Sequence, residues 1–281
     1  MSMINTAMDS AIAIAEKRRG KLGSSIYSGR PGAVTLRNLY SLRSSSWAVV
    51  LSGFVEPVFY LLAFGVGLGA YINGLTDGLG NPVSYAAYIA PALLATSAMN
   101  GAIYDSTWNV FFKMHFAKLY QGQLATSLGP LDVAIGEIGY ALLRGLTYAI
   151  GFMIVVGSMG YIPSAWGLLA IPGAVLIAFA FASIGMGITS YLTNFQQMNW
   201  INFFMLPMFL FSGTFFPLSV YPEWGQWIVK SLPLWQATDM IRSLTLGVID
   251  WGLVGHIVYF AIMTAGGLWF TTKRLSFLFQ R

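Results

Sequence analysis

WGLLAIPGAVLIAFAFASIGMGITSYL, residues 166–192, runs for 27 positions without an Asp, Glu, Lys, Arg or His. A helix needs about 20 mainly apolar residues to cross the hydrocarbon layer of a bilayer. The strands of a membrane barrel are only about ten residues long and alternate with period two, which this run does not do. A backbone in lipid must satisfy its own hydrogen bonds, so the stretch predicts a membrane-spanning helix. Working outward, five more stretches read the same way: 47–71, 85–112, 133–157, 198–218 and 252–272. The fold expected is therefore all-α and polytopic, with six transmembrane helices.

The composition agrees. Of 281 residues, 56% are hydrophobic and 9% charged, with a mean hydropathy of +0.66. A soluble domain carries about a quarter charged residues, so water cannot solvate this chain as a globule. Intrinsic disorder is excluded too, because it needs low hydrophobicity and high charge. The absence of cysteine removes disulfides, thiolate metal sites and cysteine nucleophiles.

Charge placement sets the orientation. Twelve of the fifteen Lys and Arg fall on one side of the six-span topology: seven before the first span, Lys113 and Lys118 between the second and third, and Lys273, Arg274 and Arg281 after the last. Lys230 and Arg242 lie on the other side, and Arg144 lies inside the third span. The positive-inside rule makes both termini cytoplasmic. The domain reading is a cytoplasmic tail and interfacial helix over 1–46, a six-helix membrane domain over 47–272, and a cytoplasmic tail over 273–281. The basic cluster Lys17, Arg18, Arg19 and Lys21 follows its short apolar run instead of preceding it, unlike a secretory signal.

Three connecting segments stand out. Pro31 can open a helix at its first turn, and Val34, Leu36, Leu39, Tyr40 and Leu42 interleave with Arg37 and Arg43, a pattern for an amphipathic helix in the cytoplasmic interface. Residues 113–130 collect Lys113, His115, Phe116, Lys118 and Tyr120. That set suits either contact with lipid headgroups or a docking element for a soluble partner. The long loop 219–251 places Trp224, Trp227 and Ile228 on one helical face between Pro222 and Pro233. It reads as two short segments at the outer leaflet, serving as anchors or as a lid over an outward exit.

Charged groups inside the spans are few and costly to insert. Glu56 lies in the first span before Pro57, whose missing N–H frees a carbonyl one turn back. Asp105 lies in the second span, and Glu137 and Arg144 in the third. Arg144 is expected to pair between helices with Glu56 or Asp105, and Glu56 is a candidate for a substrate path. Enzyme motifs fail. No G-x-x-x-x-G-K-[ST] loop, H-E-x-x-H motif or TVGYG filter occurs. Ser183 and His256 lack the sequence setting of a nucleophile and base.

The sequence resembles the membrane subunits of type-2 ABC exporters, the family of the nodulation-factor and daunorubicin permeases. Four places between Arg37 and Arg274 carry this. They are Glu56-Pro57 followed by Gly65-Val66-Gly67-Leu68-Gly69; Tyr88-Ile89-Ala90-Pro91; Ala125-Thr126-Ser127-Leu128 with Asp132-Val133 and Gly136-Glu137; and Leu210-Phe211-Ser212-Gly213-Thr214-Phe215-Phe216-Pro217-Leu218 with Arg242. Ser127 stands where the family has Pro, with Pro130 displaced.

The resemblance implies a pair of such subunits, or one with a close paralogue, in a prokaryotic cytoplasmic membrane. Two separate ATP-binding subunits would hold the ATP and magnesium, so this chain needs no cofactor and is not itself an enzyme. Lys113, His115, Phe116, Lys118 and Tyr120 would seat in the ATPase, with Arg37 of the N-terminal helix touching it too. The 222–233 region would be a re-entrant pair at the exit, with Phe215, Phe216, Trp224 and Trp227 as an external gate. An amphipathic drug, glycolipid or lipo-oligosaccharide would pass along spans one, two and five. Its path would involve Glu56, Phe59, Asn100, Asp105, Trp108, Met205 and Phe209. Membrane lipids are the other expected partner, and nucleic acid is not. The competing readings are a non-transporting membrane scaffold and an ion channel.

Overall fold

A computed structural model describes residues 30–42, 48–72, 74–76, 80–126 and 128–279. The basic cluster at 17–21, the boundary at 46–47 and Arg281 lie outside them. Among the described residues, helices follow one another as α1 (Pro31–Leu42), α2 (Ala48–Tyr60), α3 (Tyr85–Tyr104), α4 (Val110–His115), α5 (Leu119–Leu124), α6 (Pro130–Ser158), α7 (Ala170–Thr189), α8 (Asn199–Phe211), α9 (Glu223–Ser231), α10 (Pro233–Leu246) and α11 (Trp251–Phe279). Wider π-helical turns extend α2 over Leu61–Leu68 and join α3 to α4 over Asp105–Asn109. The extended pairing is limited to one bridge, Thr76–Pro82.

Four helices among the described residues are long and apolar enough to cross a membrane: Tyr85–His115, Pro130–Ser158, Ala165–Thr189 and Trp251–Leu278. They match the second, third, fourth and sixth expected spans. The last does not stop at 272; α11 runs on to Phe279, with the Arg274 guanidinium over the Tyr191 ring at 4.3 Å. The fifth expected span is shorter than read. α8 has 13 residues and ends at Phe211, about 20 Å of helix at 1.5 Å per residue. Gly213 then takes φ +69°, and a β-carbon there would lie 3.2 Å from the Trp235 ring, so the backbone turns away.

The core is built around α3, whose residues 85–99 are all buried. It is wrapped by α2, α6, α7 and α10. Small residues allow this closeness, the usual device of helices that share no aqueous driving force. A β-carbon on Gly101 of α3 would lie 3.2 Å from the Gly145 Cα of α6. One on Gly267 of α11 would lie 2.8 Å from the Ile184 backbone nitrogen of α7. Gly65, read from sequence as part of a packing face, meets Ala86 of α3.

The prolines act by position. The carbonyl that Pro57 frees is that of Gly53, and the buried Ser97 hydroxyl approaches it at 3.5 Å. Pro172 stands in the first turn of α7, where an absent N–H breaks no helical bond. Pro130 is the first residue of α6, and the Asp132 carboxylate accepts the Gly129 N–H at 3.1 Å.

Candidate functional site

α2, α3 and α8 enclose a cleft of about 370 Å³. α2 contributes Glu56, Pro57 and Tyr60; α3 contributes Thr96, Met99, Asn100 and Tyr104 among others; α8 contributes Asn202, Met205, Leu206 and Phe209. The volume falls in the range of small-molecule pockets, about 300–1,000 Å³. α8 is an unusual wall. None of its residues is buried, and Trp200, Phe203, Phe204, Leu206 and Phe211 are exposed apolar groups.

Of the residues read as a path, Glu56, Asn100, Met205 and Phe209 line this cleft, and Phe59 lines an adjoining hollow on α2 with Glu56. Asp105 and Trp108 do not line either one. Asp105 is buried and accepts a bond from Arg144 at 2.6 Å, with Asn109 also bonded to it. Arg144 further bonds the Tyr148 hydroxyl at 2.9 Å and lies over the Tyr104 ring at 5.1 Å. Of the two partners considered for Arg144, Asp105 holds it. Sequence reading missed Thr96, Tyr104 and Asn202, since a single polar residue in an apolar run does not reveal which face it occupies.

One end of the cleft is closed by rings. The buried Phe215 packs against Phe64, Phe209 and Tyr60 at centroid distances of 5.0, 5.2 and 6.5 Å. The Tyr85 hydroxyl bonds the Phe215 carbonyl at 3.2 Å. Arg242 fastens the same turn: it stacks on Tyr88 at 4.0 Å and bonds the Gly213 carbonyl at 3.0 Å. Phe216, Trp224 and Trp227 are exposed. The helical pair after it is split in character. α9 buries Gly225 and Val229 only, whereas α10 sends Leu234, Ala237, Met240, Ile241 and Leu244 into the core.

The other end carries the 113–120 segment. Here the side chains diverge. Lys113 pairs with Glu137 at 2.6 Å and bonds Asn38 of α1 at 3.1 Å, and Asn38 also bonds Glu137 at 3.0 Å. Lys113 therefore ties three helices together instead of pointing outward. His115 bonds the Leu192 carbonyl at 2.9 Å. Tyr120 is wholly buried; burial, and then the Glu137 charge, push its phenol well above the usual range, so it stays protonated. Phe116 and Lys118 are the outward residues, as is Arg37 on α1. Lys118 has φ +48°, a left-handed turn that costs a residue with a β-carbon roughly 1–2 kcal/mol.

This end is bonded to the base of α8 through rings. Trp108, Phe111 and Phe112 surround Phe195, just before α8, at 5.4, 6.4 and 6.0 Å. α1 is seated by shape: Val34 fills the notch at Gly136, where a β-carbon would lie 2.5 Å from it, and Thr35 bonds the Gly136 carbonyl at 3.0 Å. Ser183 and His256 do not meet. Ser183 bonds the Phe179 carbonyl at 2.7 Å, while His256 is bonded to Gln236 and Asp239.

An apolar helical bundle with a side cleft closed by rings at one end has the build of a multi-pass membrane permease. The chain belongs to the ABC-2 type transporter family, whose profile matches residues 32–246. It is 32% identical to Nodulation protein J of Sinorhizobium fredii over 235 residues, 82% of this chain and 88% of that one. Nodulation protein J of Rhizobium leguminosarum bv. viciae is 32% identical over 216 residues, 76% and 82% of the two chains. The inner membrane transport permease YadH of Escherichia coli is 24% identical over 215 residues, 74% and 80% of the two. The resemblance read from the four sequence motifs is thereby borne out.

Proposed function

We propose that this chain is the membrane half of an ATP-driven exporter, working as a pair with two separate ATP-binding subunits. The observation that carries the reading is the cleft with an unburied wall. α8 packs Ile201, Met205, Met208 and Phe209 partly against the core and leaves Trp200, Phe203, Phe204, Leu206 and Phe211 exposed, which suits a surface that meets a second copy and a passing amphipath. In this reading α2 with its π-helical extension, and α8 with the turn before it, are two further spans, giving six. The basic end faces the cytoplasm, in the inner membrane of a prokaryote, and the ring-closed end faces outward.

The coupling route in this reading runs through contacts at the basic end. An ATP-binding subunit seated on Phe116, Lys118 and Arg37 pushes on α4, and the ring cluster around Phe195 passes that movement to α8. The cleft then widens or narrows, and the Phe215 cluster opens or closes. ATP binding drives this only if the docked subunit contacts the two arrangements differently. Substrate is an amphipath moved outward, whether a drug, a glycolipid or a lipo-oligosaccharide.

The test is reconstitution. The protein is co-expressed with its ATP-binding partner, placed in liposomes, and assayed for ATP-dependent movement of a fluorescent amphipath. Movement that needs both subunits and ATP is the expected result. A protein that conducts ions without ATP, or never moves a solute with the partner present, rejects the reading in favour of a channel or a scaffold.

A further inference from the structure

The polar groups of the cleft carry one sign of charge. Glu56 supplies a carboxylate, Asn100 and Asn202 supply amides, and Tyr60 and Tyr104 supply hydroxyls. Among the described residues no Lys, Arg or His lines the cleft. The nearest intramembrane cation, Arg144, is held at 2.6 Å by Asp105 and enclosed by Tyr104 and Tyr148. Among the described residues no group bonds Glu56, and it is exposed. A carboxylate at mid-span is costly unless water or a partner meets it. Asp105 and Glu137 have their cations; among the described residues none pairs with Glu56, which lines the cleft.

The remaining lining is Leu93, Met99, Met205, Leu206 and Phe209, a soft apolar bed for a chain. Methionine adapts its shape and so tolerates varied chains. The head group is where the cleft discriminates. A carboxylate, two amides and two phenols accept bonds from hydroxyl, amide or ammonium groups. The same carboxylate repels phosphate, sulfate or carboxylate in a medium where water screens weakly.

We infer that the cleft selects amphipaths whose head groups donate hydrogen bonds and carry no negative charge, with Glu56 as the selecting residue. This deepens the exporter reading and rests on it for the word substrate. It excludes phosphate-linked precursors from the cleft while keeping neutral and cationic head groups.

The experiment uses the full-length protein in neutral liposomes and two photoreactive probes of equal alkyl length. One bears a glucoside head and the other a phosphate head, each with a diazirine in the chain. Labelled peptides from α2, α3 and α8 are counted by mass spectrometry. The glucoside is expected to label the cleft about tenfold more than the phosphate, the penalty of one like charge at partly screened close range. In Glu56→Gln, nearly isosteric and therefore foldable, the preference falls below about threefold while glucoside labelling persists. In Glu56→Lys it reverses. Equal labelling by both probes in the unaltered protein, or an unchanged preference in Glu56→Gln, overturns the inference. Labelling needs no turnover. A preserved preference without ATP-driven movement therefore defeats the exporter reading alone, and export of a phosphate amphipath through the cleft defeats this one alone.

Discussion

Replacing Arg144 by Met is the perturbation with the largest calculable effect. Asp105 is 1% exposed at its side chain and Arg144 11%, joined at 2.6 Å. Removing one partner of a buried ion pair leaves the other charge uncompensated, at about 3–5 kcal/mol. The bond to Tyr148 at 2.9 Å adds roughly 1 kcal/mol to that loss. For a chain of this size, 1 kcal/mol corresponds to about 2 °C in Tm, so Arg144→Met is expected to melt about 8–12 °C lower. Exchanging both partners for apolar groups is often neutral or stabilising. Asp105→Leu combined with Arg144→Met should therefore recover at least half of the deficit. The assay is thermal unfolding in lipid nanodiscs followed by tryptophan fluorescence, for both single variants and the double. Deficits that simply add would refute the reasoning, because they would mean the two groups act independently.

Four other expectations follow from contacts at the two ends of the cleft. Gly136→Leu should unseat α1 by displacing Val34, losing about 1.5–3 kcal/mol of its burial; Tm should fall by about 3–6 °C, and a spin label on Tyr40→Cys, unique in a chain without cysteine, should become mobile. Phe116→Ala with Lys118→Glu should weaken binding of the ATP-binding subunit at least about tenfold, the worth of 1.4 kcal/mol, at unchanged Tm. Lys113→Met should do the converse, lowering Tm by stranding Glu137 and leaving partner affinity alone, as read by co-purification titrations. Arg242→Ala should loosen the Gly213 turn by roughly 1.5–3 kcal/mol, the value of hydrogen bonds to a charged group; Arg242→Lys should not restore it, because a lysine cannot stack on Tyr88 and donate from a planar fork.

The 113–120 segment shows where the sequence stops informing. Its residue types suit either lipid headgroups or a docked partner, and the family resemblance implies docking; in the fold Lys113 and Tyr120 turn inward, while Phe116 and Lys118 turn outward. A helix of six residues, α4, entered through a π-helical turn, does not keep the 3.6-residue register that sequence spacing assumes. Asp105 shows the same limit. The sequence offers it both as a path residue and as a partner of Arg144, and its depth and facing depend on where Arg144 arrives from another helix 39 positions away.

Apolar length determined by itself that this chain is an all-helical protein with several membrane-length apolar helices, because the bilayer's thickness acts on each segment separately. The four family motifs were legible in the same way, being local strings. Tertiary structure alone decided that Arg144 closes on Asp105 and leaves Glu56 facing the cleft, that Phe215 joins Tyr60 and Phe64 to cap it, and that α8 ends at Phe211 without burying a residue. Those outcomes depend on which helix faces which, and facing is set by close packing of small residues between distant segments, a property no single stretch of sequence contains.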